Sequence, residues 1–227
     1  MLAAFAANGY PVNLLLALLT DTLSALLGAI TGLQLALRAT NHAHPRPWPA
    51  QAASLLEHPL RRQILAPVDL LGLCGVTATM QILDAGCGAG VLAVEAARML
   101  LPPGKLIAVD CQPGMIEQAR RRIAASGLTD RVTLHQVGLH QLPLAAESVD
   151  LVLLVSTLGE VSDKAATLAE LRRVLRPEGR LLVTEELLSP GYLTPGSVRR
   201  WAEDAGFRFG AQSGSPLACH QIFFPAK

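Results

Sequence analysis

The residues best placed to do chemistry lie close together. Asp84 is followed by glycines at alternate positions, Gly86, Gly88 and Gly90, with Cys87 between the first two. Glycines at that spacing allow a tight turn and let backbone amides come close to a ligand. Twenty residues after Gly90 stands Asp110, followed by Cys111 and, a turn later, Met115. An acidic residue at that distance from a glycine loop is placed to accept hydrogen bonds from ribose hydroxyls. Further along the chain, His140 and Glu160 are the candidate proton acceptors for catalysis.

These side chains need elements to hold them. M-Q-I-L-D, ending at Asp84, is a short apolar run that reads as a buried parallel strand. The glycines follow, then V-L-A-V-E-A-A-R-M-L, a helical pattern, and then a second strand, L-I-A-V, ending in Asp110. Glu160 falls just after a later apolar run, where α/β enzymes place substrate contacts; Glu185 and Glu186 have the same standing after the next strand. Cys87 reads as a small loop filler.

Two registers of the glycine loop compete. Gly88-x-Gly90-x-x-Ala93 satisfies the relaxed dinucleotide fingerprint, which keeps an NAD(P)-binding oxidoreductase as an alternative. Asp84 at the strand end and the glycines at 86, 88 and 90 favour the other register, D-x-G-x-G-x-G, which resembles motif I of class I methyltransferases. The resemblance continues. V-D-C-Q-P-G-M-I-E-Q-A-R is similar to the family's second motif, L-P-L-A-A-E-S-V-D-L-V-L-L-V to the approach to its fourth strand, and L-A-E-L-R-R-V-L-R-P-E-G-R-L-L-V-T-E to the following helix, turn and fifth strand. It covers about 150 residues in the expected order and looks closest to the branch containing ubiquinone and menaquinone methyltransferases.

The resemblance implies S-adenosylmethionine as cofactor, with Asp110 holding the ribose and Met115 packing near the adenine. The implied cofactor site comprises Asp84, Gly86, Cys87, Gly88, Gly90, Asp110, Cys111, Met115, Leu139 and His140. The family often has Gly-Asp-Ala after the third strand; here Gly138, Leu139 and His140 stand there, and Leu139 has no side-chain acceptor for the adenine amino group. The expected fold is α/β: a Rossmann-like, seven-stranded, mostly parallel sheet with helices on both faces, preceded by an apolar N-terminal helix. Strands are expected to begin near Gln81, Leu106, Val132, Val149, Arg180, Phe207 and Cys219, the last antiparallel. The implied reaction is methyl transfer to a small or amphipathic acceptor, lipid or quinone-like. No metal is implied. A non-catalytic, membrane-tethered binding protein on the same scaffold is the other alternative, kept open by Leu139.

Composition sets the surroundings. Hydrophobic residues make up 51% of the 227, charged residues 16%, and the net charge is +1, which excludes a chain-wide basic field for nucleic acid. The four cysteines form no C-x-x-C pair, and scattered thiols fit a reducing compartment. The apolar excess is concentrated at the start: among residues 1 to 37 only Asp21 carries charge. Val12 to Leu37 is long enough to span a bilayer. Asn13, Ala17, Thr20, Asp21, Ser24, Gly28 and Thr31 fall on one helical face, and Gly28 and Gly32 have the G-x-x-x-G spacing that lets two helices approach, so a homodimer is one partner arrangement this helix allows. No Lys or Arg precedes the run, against a cleaved signal peptide. A membrane-associated helix is expected, with a soluble core or oligomerisation helix as the competing reading. If the helix spans, Arg38, Arg46, Arg61 and Arg62 lie on its C-terminal side, which predicts that the rest of the chain faces the cytoplasm. The expected organisation is 1–40 apolar helix, 41–50 proline-rich extended linker, 51–74 helical lid on the substrate side, and 75–227 methyltransferase domain.

Overall fold

Apolar runs alternate with 3.6-period segments from Met80 onward, and this pattern builds one mostly parallel sheet covered on both faces. The computed structural model describes residues 12–53 and 58–226. Residues 1–11 of the expected N-terminal segment, 54–57 of the expected lid and Lys227 lie outside the described residues, as do the side chains of Val12, Asn13, Leu15 and Leu60. The elements are α1 (Val12–Ala43), a 3-10 turn (Ala50–Ala52), α2 (Pro59–Leu65), α3 (Pro67–Leu73), β1 (Gln81–Ala85), α4 (Val91–Met99), β2 (Lys105–Asp110), α5 (Pro113–Ala125), β3 (Val132–Gln136), β4 (Val149–Val155), α6 (Lys164–Val174), β5 (Leu175–Glu186), α7 (Pro195–Asp204), β6 (Phe207–Gly214) and β7 (Ala218–Pro225).

The sheet runs β3-β2-β1-β4-β5-β7-β6, with β7 antiparallel between β5 and β6. The first five strands are mutually parallel. A dinucleotide-binding sheet has the order 3-2-1-4-5-6, so the inserted antiparallel β7 removes the NAD(P) reading. Strand order reverses between β1 and β4, and the crevice beyond their carboxyl ends is where such sheets bind ligands. The ladder of β5 becomes continuous with β4 only from Arg180, the expected start; Leu175 pairs with Val149, and Arg-Pro-Glu-Gly bulges out between them. Two apolar cores flank the sheet. One, around Ile82, Leu106 and Leu153, includes Leu70, Leu71 and Cys74, so the end of the lid segment is built into the domain's core. The other gathers Leu83, Val152, Leu171, Val183 and Phe223 against α6 and α7.

The N-terminal helix differs from expectation in two ways. It continues to Ala43, because Thr-Asn-His-Ala offers no breaker before Pro45. It is also docked at its C-terminal end. Gln34 Nε2 donates to the Leu188 carbonyl at 2.6 Å and Asn41 Nδ2 to the Gly159 carbonyl at 3.1 Å. The Arg38 guanidinium lies 5.1 Å from the Tyr192 ring centroid, a cation–π distance. From Leu16 to Leu33 the helix is bare: Leu23 and Leu27 are 66% and 63% exposed. A helix in the domain's own core would bury those side chains; this stretch packs on nothing within the described residues. Gly28 and Gly32 face open space.

Candidate active site

The chain turns sharply at the end of β1. Gly86 and Gly90 sit at φ +81° and +79°, a left-handed region that favours glycine. A Cβ on Gly86 would also lie 2.5 Å from the Thr157 side chain, and one on Gly90 would lie 3.0 Å from Ala119 Cβ. Both conformation and space therefore demand glycine. The Gly86 and Cys87 amides donate to the Val109 carbonyl, tying the loop to β2.

Two carboxylates flank this turn. Asp110 accepts from the amides of Gly88 at 3.0 Å and Gln112 at 2.9 Å, one on each oxygen. Each oxygen keeps a second lone pair for an incoming hydroxyl. Burial raises the Asp110 pKa, and the backbone amides oppose that only in part. Asp84 is 2% exposed, and its Oδ2 has no hydrogen-bond partner. Burial, then the neighbouring Asp110 charge, pushes its pKa up to about 7. A buried, unsatisfied carboxyl oxygen needs a cationic or donor group to complete it.

Asp84, the glycine loop and Asp110 line a cavity of about 620 Å³, within the range of roughly 300–1,000 Å³ for pockets that enclose a drug-sized ligand. Cys87, Cys111, Met115, Leu139, His140 and Glu160 line it too, so the sequence-named positions Asp84, Gly86, Cys87, Gly88, Asp110, Cys111, Met115, Leu139, His140 and Glu160 share one cavity; Gly90 supports the turn behind it. Met115 is buried against Ala89, Ala53 and Trp48. Leu139 joins the apolar core with Val109 and Leu142. The His140 ring folds back to where a Gly138 Cβ would stand, 2.8 Å away. Burial raises the thiol pKa values of Cys87 and Cys111, which keeps both protonated and poorly nucleophilic.

Glu160 closes a 3-10 turn after β4 and accepts the Trp48 amide on Oε2 at 2.9 Å. Burial outweighs that bond, and with Asp110 raising and Arg61 lowering, the Glu160 pKa stands at about 7. Glu185 and Glu186 separate, because neighbours on a strand face opposite sides of the sheet. Glu186 faces the cavity, where Arg61 grips both its oxygens and Ser156 Oγ donates to Oε1 at 2.6 Å. Glu185 is buried on the other face; the Leu193 amide bonds Oε2, Oε1 has no partner, and its pKa is pushed up to about 8, chiefly by burial.

Sequence reasoning missed how the linker takes part. Residues 41–50 are not a free extended spacer. Pro45, Pro47 and Trp48 lie on the cavity, and the Trp48 carbonyl accepts from Gln112 Nε2 at 2.8 Å. An exposed indole between prolines is costly in water, and that was the available signal. The arginines that follow the apolar helix are also mostly engaged within the protein: Arg38 by Tyr192, Arg61 by Glu186 and Arg62 by Glu95. No local signal could pair Arg61 with a glutamate 125 residues away.

Comparison with known proteins follows the same lines. A family model described as a methyltransferase domain matches residues 77–200, more than half of the chain. A demethylmenaquinone methyltransferase of Symbiobacterium thermophilum is 39% identical over 104 residues, 46% of this chain and 41% of that protein. A ubiquinone/menaquinone biosynthesis C-methyltransferase, UbiE, of a Marinomonas species is 34% identical over 152 residues, 61% of each. The chain thus spans between 41% and 61% of the length of these curated relatives. Among solved structures, a SAM dependent methyltransferase from Aquifex aeolicus superposes with a TM-score of 0.74 at 24% identity, covering 79% of this chain and all of that one.

Proposed function

The chain belongs to the class I S-adenosylmethionine-dependent methyltransferases, and we propose that it moves the cofactor's methyl group to a small or amphipathic acceptor held under residues 45–48 and 58–67. The observation that carries this reading is that the glycine loop, the Asp84 and Asp110 carboxyls and Glu160 all line one cavity. When bound, the cofactor supplies a methyl group already activated by its sulfonium. The protein's tasks are then alignment, exclusion of water and proton removal. Asp84 has an unpaired oxygen for the cofactor's ammonium group, and Asp110 has lone pairs for the ribose hydroxyls. Pro45, Pro47, Ile64 and Leu65 wall the acceptor side with apolar surface. The Arg61–Glu186 pair fastens α2 to the end of β5. Glu160, with its pKa near neutrality, is the favoured base for a phenol or carbon acid, and His140 is the second candidate. Calorimetry tests the cofactor assignment. The protein binds S-adenosylhomocysteine, and Asp110→Ala weakens that binding by about 1–3 kcal/mol, the usual penalty for unpaired buried polar groups. Binding of NADH with no response to S-adenosylhomocysteine overturns it. Single-turnover methyl transfer separates the enzyme from a non-catalytic binding protein.

The favoured acceptor is membrane-dissolved, a lipid amine or a quinone precursor, and the favoured setting is the cytoplasmic face of a membrane. The names of the two curated relatives support a quinone-type ring. The bare stretch of α1, residues 16–33, supports the setting: 18 residues at 1.5 Å each reach about 27 Å, close to the roughly 30 Å of a hydrocarbon core. α1 has a mean hydropathy of 1.6 over its most apolar window, and none of that window is buried in the protein. A helix lying in the interface or pairing with a second copy spares Asp21 the bilayer centre. A variant combining Leu23→Gln, Leu27→Gln and Ile30→Gln, tested by sedimentation with phosphatidylcholine vesicles, decides this. The wild type sediments and the variant loses at least about a thousandfold in partitioning, since each buried aliphatic side chain is worth about 1.5–3 kcal/mol, while both bind S-adenosylhomocysteine alike. A wild type that stays in the supernatant rules out the membrane setting.

A further inference from the structure

The chain between α1 and α2 crosses the mouth of the site. Trp48 marks the crossing. Its amide donates to Glu160, which follows β4, and its carbonyl accepts from Gln112, which follows β2. Between those two strands lies β1 with its glycine loop, so the segment passes over the crevice where the sheet order reverses. The indole packs near Ala89 of the loop and Met115 of α5, and Gln118 Nε2 holds the Ala50 carbonyl at 3.1 Å. Residues 44–49 carry no helix or strand, and the hydrogen bonds at Trp48 and Ala50 that tie this chain to the domain come from side chains of the domain. A segment held in that way opens with little loss of the surrounding structure. At its start stands Asn41, which does not line the cavity. Asn41 Nδ2 bonds the Gly159 carbonyl, and its Oδ1 accepts the Arg46 amide at 3.3 Å. One side chain thus ties the end of α1 both to the domain and to the first turn of the crossing segment.

We infer that residues 44–53 are a lid that lifts for cofactor exchange, with Trp48 as its contact over the nucleoside and the docking of α1 through Asn41 and Gln34 setting how tightly it closes. This rests on the cofactor reading above and adds a regulation to it: whatever draws α1 away from Gly159 and Leu188 speeds exchange. The lid also couples closure to chemistry, because the Trp48 amide that completes it is the group that orients the Glu160 carboxylate.

The test uses the full chain with Trp201→Phe, which leaves Trp48 as the sole tryptophan. S-adenosylhomocysteine lowers acrylamide quenching of Trp48, and stopped-flow displacement gives its dissociation rate. Asn41→Ala raises that rate by about three- to tenfold, the scale of one part-buried hydrogen bond, with Trp48 quenched more strongly in the ligand-free state. Gln34→Ala, which frees the Leu188 tie, gives the same direction and covers the case in which Asn41→Ala folds poorly. Trp48 equally quenched with and without ligand, together with unchanged dissociation rates in both variants, overturns the lid while leaving the cofactor reading intact. Absence of S-adenosylhomocysteine binding in calorimetry overturns both.

Discussion

Glu160→Gln lowers kcat by about 10²- to 10⁴-fold, the contribution of a well-placed general base, while binding of S-adenosylhomocysteine changes only a few-fold. The amide keeps an acceptor for the Trp48 N–H, so the lid stays in place and only the proton acceptor is lost. In the wild type the base must be ionised. Burial and Asp110 hold Glu160 at about 7, so kcat/KM for the acceptor at saturating cofactor rises with pH and levels off above an apparent pKa of about 7 or lower. The shift below 7 arises because a bound cofactor of net positive charge favours the carboxylate. A pH profile flat from acid to neutral in the wild type, with full activity in Glu160→Gln, transfers the base role to His140 or shows that the acceptor needs none. His140→Gln distinguishes those two outcomes.

In the absence of ligand the protein loses stability as pH rises from about 6.5 to 9. Asp84, Glu160 and Glu185 have pKa values of about 7, 7 and 8 in the folded chain, against about 4 for ordinary carboxyls in the unfolded one. The folded state therefore holds protons that the unfolded state has released. That contribution is complete below the unfolded pKa and disappears as pH passes through the folded values. Each group changes stability by about 1.4 kcal/mol per pH unit in its window, and the three together by about 4 kcal/mol above pH 6.5. His220, whose pKa burial lowers, contributes an opposite slope only at more acid pH. Urea unfolding of wild type and Glu185→Gln across this range makes the measurement. The substituted amide keeps an oxygen for the Leu193 N–H and carries no proton to lose, so the variant is the more stable protein at pH 9 and shows the shallower decline. Parallel slopes in the two proteins would mean that Glu185 is ionised throughout.

Sequence by itself determined what is local. The strands beginning at Gln81, Val132, Val149 and Phe207 and the helix after Gly90 follow from runs whose apolar period needs only neighbouring residues to read. The glycine loop was legible because a positive φ and a missing Cβ are properties of single positions. Asp110 was legible because one strand and one helix fix its distance from the loop. For the same reason the gathering of ten named site residues in one cavity follows from strand order: each sits at a carboxyl end, in the turn after it or, for Met115, in the first turn of the helix that follows, and the topology brings those ends together.

The tertiary structure alone decided what depends on partners distant in sequence. The Pro-rich linker has the composition of a free spacer, and only the Glu160 and Gln112 side chains, 112 and 64 residues away, turn it into a cover for the site. Arg61 and Arg62 look like a solvated basic pair until Glu186 and Glu95 are beside them. Glu185 and Glu186 are the same residue type at adjacent positions, and the pleat of β5 sends one into a sealed face and the other to the cavity. The proton affinities of Asp84, Glu160 and Glu185 belong to the same category. They arise from water removed by the whole fold and from charges brought near by it, and neither quantity is a property of the chain before it closes on itself.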